Sequence, residues 1–174
     1  MSIKLLKKLT VVTASAALSL AATSLAQSAQ AAGFGDSYNP SAWTLTNSNA
    51  DGYVNTNEAL GSFVLTGGNK GGGYGAGSTT YATTILNPGT VSFNWDYSTA
   101  DWSGGYDPAG WSLNGVFTQL SNNNTKSSSG SVTTLVKAGD IFGFFVNTVD
   151  NAVGAANLKV SSFSAPGSCS ATYN

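Results

Sequence analysis

Histidine and arginine are absent from this 174-residue chain, and its single cysteine, Cys169, stands near the C-terminal end. Without imidazole there is no Ser-His-Asp or Cys-His nucleophile system, no His-ligated zinc site and no side chain that titrates near neutrality by default. One cysteine excludes an intrachain disulfide, so the core alone must hold the fold. As an odd thiol it is either an intermolecular bridge or a free tail thiol. Charge is scarce as well, at 9% of residues against a usual share of about 25%. Seven lysines against eight acidic residues give a net charge of −1, which offers no electrostatic footprint for nucleic acid. What remains is 41% hydrophobic residues, enough for the core of one domain.

The N-terminus carries Lys4, Lys7 and Lys8, then an apolar and small-residue run from Leu9 to Leu25, then Ala29-Gln30-Ala31. A basic head, a short apolar stretch and a small-x-small site are the three parts of a secretory signal peptide. Threonine and serine interrupt the run, so it is a poor membrane span. Residues 1–31 are therefore expected to be removed, with cleavage after Ala31. The remaining 143 residues keep four lysines and all eight acids, for a net charge of −4. Such a chain is expected to be secreted or periplasmic, with no membrane insertion and no attraction to anionic lipid.

Short apolar runs separated by Gly, Asn, Asp, Ser or Pro clusters follow at roughly the 8–12-residue spacing of a β-sandwich. The runs are Ala42–Thr46, Ala59–Thr66, Thr79–Leu86, Thr90–Tyr97, Gly110–Leu113, Val116–Leu120, Val132–Val136, Ile141–Thr148 and Asn157–Phe163. In Val91-Ser92-Phe93-Asn94-Trp95-Asp96-Tyr97 four large residues alternate with three polar ones, the pattern of a strand with one buried face. Asn114-Gly115 between two such runs supplies the two positive-φ positions of a tight hairpin turn. Ile141–Val146 is continuously apolar and reads as a central strand. Ser161-Ser162 breaks step in the last run and reads as a bulge or strand end. No segment shows sustained helical periodicity. These features predict an all-β fold: a single antiparallel sandwich of jelly-roll or CUB-like type with about eight strands, spanning residues 32–165. A flexible tail over 166–174 is expected after it. The glycine-rich stretch 66–78 and the polar stretch 121–130 read as surface loops.

The stretches Trp43–Gly52, Gly89–Trp95, Tyr97–Asp101, Asp107–Gly115, Ala138–Phe144 and Thr148–Asn151 resemble, in that order, the β-sandwich module of exported bacterial proteins that often end in a PEP-CTERM sorting signal, notably cyanobacterial ones. The resemblance covers nearly all of the chain after residue 31 and implies an exported sandwich without implying an activity. Members continue past the sandwich with Pro-Glu-Pro, an apolar helix and a basic tail. Here Ala165-Pro166 is followed by Gly167-Ser168-Cys169-Ser170-Ala171-Thr172-Tyr173-Asn174, so the envelope anchor that the resemblance would imply is not expected.

The acids cluster. Asp96, Asp101 and Asp107 surround Trp102–Tyr106, and Asp150-Asn151 follows the strand Ile141–Thr148. Hard oxygen donors on loops at a sandwich end suit Ca²⁺, with Asp101, Asp107, Asp150 and Asn151 as candidate ligands. The plainer reading gives each a turn role, since Asp-Pro-Ala-Gly and Val-Asp-Asn-Ala are turn sequences in their own right. Trp102, Tyr106 and Tyr74 lie in glycine-containing loops and are candidates to stack on sugar rings. The alternative for Trp102 is a plug folded back over the sandwich end. The leading expectation is a non-catalytic structural or adhesive protein of the cell surface, matrix or medium. A carbohydrate-binding module, with Ca²⁺ as its ion, is the alternative, and a polysaccharide hydrolase ranks below both, since no nucleophile–base pair can be named. The partner would be an extracellular polysaccharide or a surface protein.

Overall fold

The computed structural model describes residues 30–57 and 61–167. In chain order the strands are β1 (Gln30–Ala32), β2 (Thr44–Ser48), β3 (Tyr53–Asn55), β4 (Ser62–Thr66), β5 (Gly77–Thr84), β6 (Gly89–Thr99), β7 (Ala109–Leu113), β8 (Val116–Gln119), β9 (Ser127–Val136), β10 (Ile141–Thr148) and β11 (Ala156–Pro166). Two 3₁₀ turns, Asp36–Tyr38 and Pro40–Ala42, are the helical elements among the described residues. No helix there is long and apolar enough to cross a membrane.

Alternation dictates which face each strand buries. On β6, Val91, Phe93, Trp95 and Tyr97 are buried while Asn94 and Asp96 are exposed, as the period of two requires. β6 lies in a sheet of order β3-β4-β11-β6-β9, with β1 running beside the end of β11. The second sheet has the order β2-β5-β10-β7-β8, and every pairing in both is antiparallel. β10 is its central strand, buried from Phe142 to Val146. The two inner faces meet in a sandwich.

Aromatic rings fill the space between them. Phe144 on β10 packs edge-on against Phe93 at 4.9 Å and Phe63 at 5.4 Å, and stacks with Trp43 at 5.9 Å. Trp43 in turn stacks on Tyr81 at 5.1 Å. The Trp43 indole N–H donates to the Tyr38 carbonyl (3.0 Å), and the Tyr38 hydroxyl donates to the Pro166 carbonyl (2.8 Å). The segment before β2 is thereby tied to the end of β11.

Each of the nine runs predicted from periodicity contains a strand among its described residues. The Asn114-Gly115 turn has φ of 52° and 80°, and the register of β11 shifts between Ser161 and Ser164. The differences lie where a strand has no buried alternation to show. β1 and β3 are three residues each, too short for a period. β9 begins at Ser127, inside the stretch expected to be loop. Ser127, Ser129 and Ser131 are exposed on a sheet edge, Ser128 lies opposite the buried Tyr97, and Gly130 leaves room for the Trp95 ring, whose Cζ2 would stand 3.0 Å from a Cβ there. The expected tail begins too early, because β11 runs through Pro166 and the Gly167 carbonyl accepts a bond from Asn87 Nδ2 at 2.6 Å. Cys169 lies outside the described residues, as do residues 1–29 of the expected signal peptide. The expected cleavage point after Ala31 falls within β1.

Truncating Phe144 removes a fully buried ring from the centre of this layer. Phe144→Ala is expected to lower unfolding stability by about 3–5 kcal/mol, and Leu135→Ala, which is 79% exposed on β9, by less than about 0.5 kcal/mol. Urea denaturation of both variants measures the contrast.

Candidate functional site

Whereas Asp96 lies within β6, between Lys159 and Ser129, the candidate ligand and stacking residues Tyr74, Asp101, Trp102, Tyr106, Asp107, Asp150 and Asn151 lie at one end of the sandwich. There β2 and β10 end, β5 and β7 begin, and the connections 49–52, 67–76, 100–108 and 149–155 come together.

Asn151 is the hub of that end. It is fully buried in a left-handed conformation (φ 56°). Its Nδ2 donates to the carbonyls of Asn49 and Gly75, both at 2.8 Å. Its main-chain N–H donates to Thr148 Oγ1 at 2.9 Å, and its carbonyl accepts from Gly71 N–H at 2.7 Å. Asn49 Nδ2 donates to the Tyr74 and Ala76 carbonyls at 2.6 and 2.9 Å. Gly77 passes so close to Asn49 that a Cβ there would overlap its carbonyl oxygen. The glycine-rich connection, expected to be a free surface loop, is therefore bonded down through two asparagines. The Asn151 amide nitrogen is thus committed to main-chain carbonyls, while its Oδ1 accepts from Lys70 N–H at 3.4 Å.

Two buried aspartates sit beside this hub. Asp101 is 0% and Asp107 1% exposed. Thr99 Oγ1 donates to Asp107 Oδ2 at 2.7 Å and accepts from Asp101 N–H at 3.0 Å, so one hydroxyl joins the two residues. Asp101 Oδ1 accepts from Trp102 N–H. The other carboxylate oxygens, Asp101 Oδ2 and Asp107 Oδ1, are buried without a hydrogen-bond partner. Burial pushes the Asp107 carboxyl up from 3.8 to about 6; Thr99 and Thr148 hydroxyl bonds oppose this, and the Asp101 and Asp150 charges add to it. Asp150 is half-buried and its Oδ1 accepts from Ala152 N–H at 3.0 Å, the turn role open to it in the sequence. Among the described residues no three Asp, Glu, His or Cys side chains form a ready metal-ligand group.

Trp102 is 74% exposed and so is not a plug over the sandwich end. Its connection leans on the 121–126 turn through bonds from Gly104 N–H to Thr125 O and from Gly105 N–H to Asn123 O. Tyr106 is 43% exposed, and its carbonyl accepts from Val149 N–H at 2.8 Å. The ring of Tyr74 already carries the Lys70 ammonium, 4.5 Å from its centre. One face of that ring is thus occupied.

A groove of about 520 Å³ crosses the outer face of the five-stranded sheet at this same end. Ser48, Ser78 and Asn147 line it from β2, β5 and β10, between Phe117 of β8 on one side and Pro108 and Val149 on another. Phe117 is 56% exposed and stands edge-on over Phe145 at 4.9 Å. Phe145, facing away from the sandwich core, is nevertheless only 2% exposed. Asn147 Oδ1 is buried without a partner. Phe117 and Asn147 were missed in the sequence. Alternation on β10 places Phe145 and Asn147 opposite the buried Phe144 and Val146, which was the one available signal.

No family model matches the chain, and no curated protein does. Among solved structures it is similar to TmCBM61, solved with β-1,4-galactotriose, at 10% identity over 75% of this chain and 91% of that one (TM-score 0.44). A family 11 carbohydrate-binding module of a Clostridium thermocellum cellulosomal cellulase matches at 9% identity over 75% and 91% (TM-score 0.41). The enzymatically active domain of tailspike protein 4 of bacteriophage CBA120 matches at 16% identity over 72% of this chain and 19% of that one (TM-score 0.37). No residue role is carried over from them.

Two outcomes follow from this geometry. Because the folded state binds the Asp107 proton more tightly than the unfolded chain does, stability in EDTA is expected to fall as pH rises from about 4 to about 6. Denaturant midpoints across that window should show the slope in the natural chain and not in Asp107→Asn. Replacing the hub by Asn151→Gly keeps the backbone conformation open but removes the side chain. Hydrogen exchange over residues 67–77 is expected to accelerate at least tenfold, the equivalent of about 1.4 kcal/mol of local stability, while β6 exchange stays less affected.

Proposed function

We propose that this chain is an exported, non-catalytic β-sandwich that binds a neutral carbohydrate in the groove between Phe117 and Val149. The observation that carries this reading is the composition of the groove. An exposed aromatic ring stands beside a row of small hydroxyls and one buried amide oxygen, Asn147 Oδ1, that has no protein partner. A sugar presents an apolar ring face to the first and hydroxyl donors to the second. No charged side chain lines the groove, which favours an uncharged glycan over an acidic one. No carboxyl pair flanks it either, as glycoside hydrolysis would require; Asp101 and Asp107 are buried instead. Tyr106, bonded to Val149 at the rim, and Trp102 further along the same end would extend the contact to a longer chain. The signal-peptide pattern before residue 32 supports an encounter outside the cytoplasm.

A structural or adhesive role is favoured by a different feature. β9 ends its sheet as a ten-residue strand without charge or proline, and such an edge is a template for pairing with another strand. Affinity electrophoresis through gels containing neutral β-glucans, galactans and mannans separates the two. Retardation on at least one, weakened tenfold or more by Phe117→Ala and unchanged between low and high salt, is the expected result. An equal mobility on every polysaccharide would overturn the carbohydrate reading and leave the β9 edge as the working surface.

A further inference from the structure

We infer that Asp101 and Asp107 together hold one hard divalent cation of the Ca²⁺ class at the loop end of the sandwich. This site is separate from the groove and does not rest on the carbohydrate reading.

The argument starts from an imbalance of charge. Both carboxylates are buried to within one per cent of complete, and each keeps one oxygen, Asp101 Oδ2 and Asp107 Oδ1, that no protein donor reaches. A buried carboxylate needs either an opposite charge or enough donors to replace water. Thr99 Oγ1 lies between the two residues, which fixes them as neighbours. The charges that act on Asp107 are those of Asp101 and Asp150, both negative, and no lysine offsets them. The fold has thus gathered negative charge in a dry place while leaving two oxygens open.

A proton could neutralise one of these carboxylates, but not fill both vacancies. A divalent cation does both at once. The donors are all oxygen, as suits Ca²⁺, which takes about six to eight ligands including hydroxyls, main-chain carbonyls and water. Two carboxylates would supply the charged share. Asp150, half-buried and acting on Asp107 from the rim, adds negative potential. Asn151 contributes indirectly by fixing the turn after Thr148, whose hydroxyl accepts its N–H and bonds Asp107. Mg²⁺ fits less well, since it demands near-octahedral geometry and retains most of its water.

Thermal melts of the EDTA-stripped protein at neutral pH, repeated with millimolar Ca²⁺ or Mg²⁺, test the assignment. Ca²⁺ is expected to raise the midpoint by several degrees and Mg²⁺ by much less. In Asp101→Asn/Asp107→Asn the Ca²⁺ response should vanish while the EDTA midpoint matches or exceeds that of the natural chain, because an uncompensated charge has been removed. Tb³⁺ provides a readout independent of the variant's folding. The Tyr97 hydroxyl donates to the Asp107 carbonyl at 2.8 Å, so bound Tb³⁺ should luminesce on tyrosine excitation, saturate at one equivalent and be displaced by excess Ca²⁺. Coincident melts in Ca²⁺ and EDTA would overturn the site. So would an undiminished Ca²⁺ response in the double variant, or the lack of Ca²⁺-displaceable Tb³⁺ emission.

Discussion

The fold depends on the aromatic layer between its sheets. Without an intrachain disulfide and with so few charges, the chain has little besides burial to oppose the entropy of ordering its strands. Phe144 supplies the central contact, and the rings around it come from strands far apart in sequence: Phe63 from β4, Phe93 from β6, Phe163 from β11 and Trp43 from the segment before β2. Edge-on and stacked pairs fix orientation as well as area, since offset and perpendicular arrangements are favoured over flat overlap. The layer therefore sets how one sheet lies on the other. Once that is set, the ends of β2, β5, β7 and β10 arrive together, and their connections must share one small space.

That space is organised by backbone polarity. Four connections meeting at a sandwich end bring many carbonyls and N–H groups without ladder partners, and each one that is buried needs a bond. Asn151 answers several of them at once, and Asn49 answers two more on the glycine-rich connection. Asparagine suits the position because it tolerates the left-handed region and carries both donor and acceptor. Gly77 is required for a different reason, the close approach of its backbone to Asn49. The groove inherits its shape from this arrangement, because Ala76, Gly77 and Ser78 on its wall follow directly from the bonded connection.

The sequence was most informative where one face of a strand is wet and the other dry. Val91 to Tyr97 could be read residue by residue, and Ile141 to Val146 declared a central strand by lacking polar positions. The Asn-Gly hairpin was legible because its turn chemistry is local. β9 was half-hidden because its first four residues, Ser127–Gly130, look like a loop when no large side chain marks the inward positions. The acidic cluster was visible as a cluster, but proximity in sequence could not separate Asp101 and Asp107, which are buried, from Asp150, which makes a turn, or Asn151, which ties backbone. The groove was invisible for a further reason. Its lining comes from five places in the chain, each contributing one to three residues, and only the sheet order brings them side by side.

Charge is divided sharply at this end of the molecule. The groove has none on its lining, whereas the adjoining interior holds two carboxylates under low exposure. Such a division is hard to maintain by burial alone, since a buried carboxylate tends either to draw water inward or to take up a proton. The carboxylates do not face the groove. They lie beneath the connections that shape it, linked to them through Thr99, Thr148 and Asn151. A cation held there would act on the groove by stiffening those connections, with no contact to whatever the groove binds. The proposed cation and the groove would therefore be coupled through the order of the loops and not through charge, because the neutral lining gives a buried ion little to act upon.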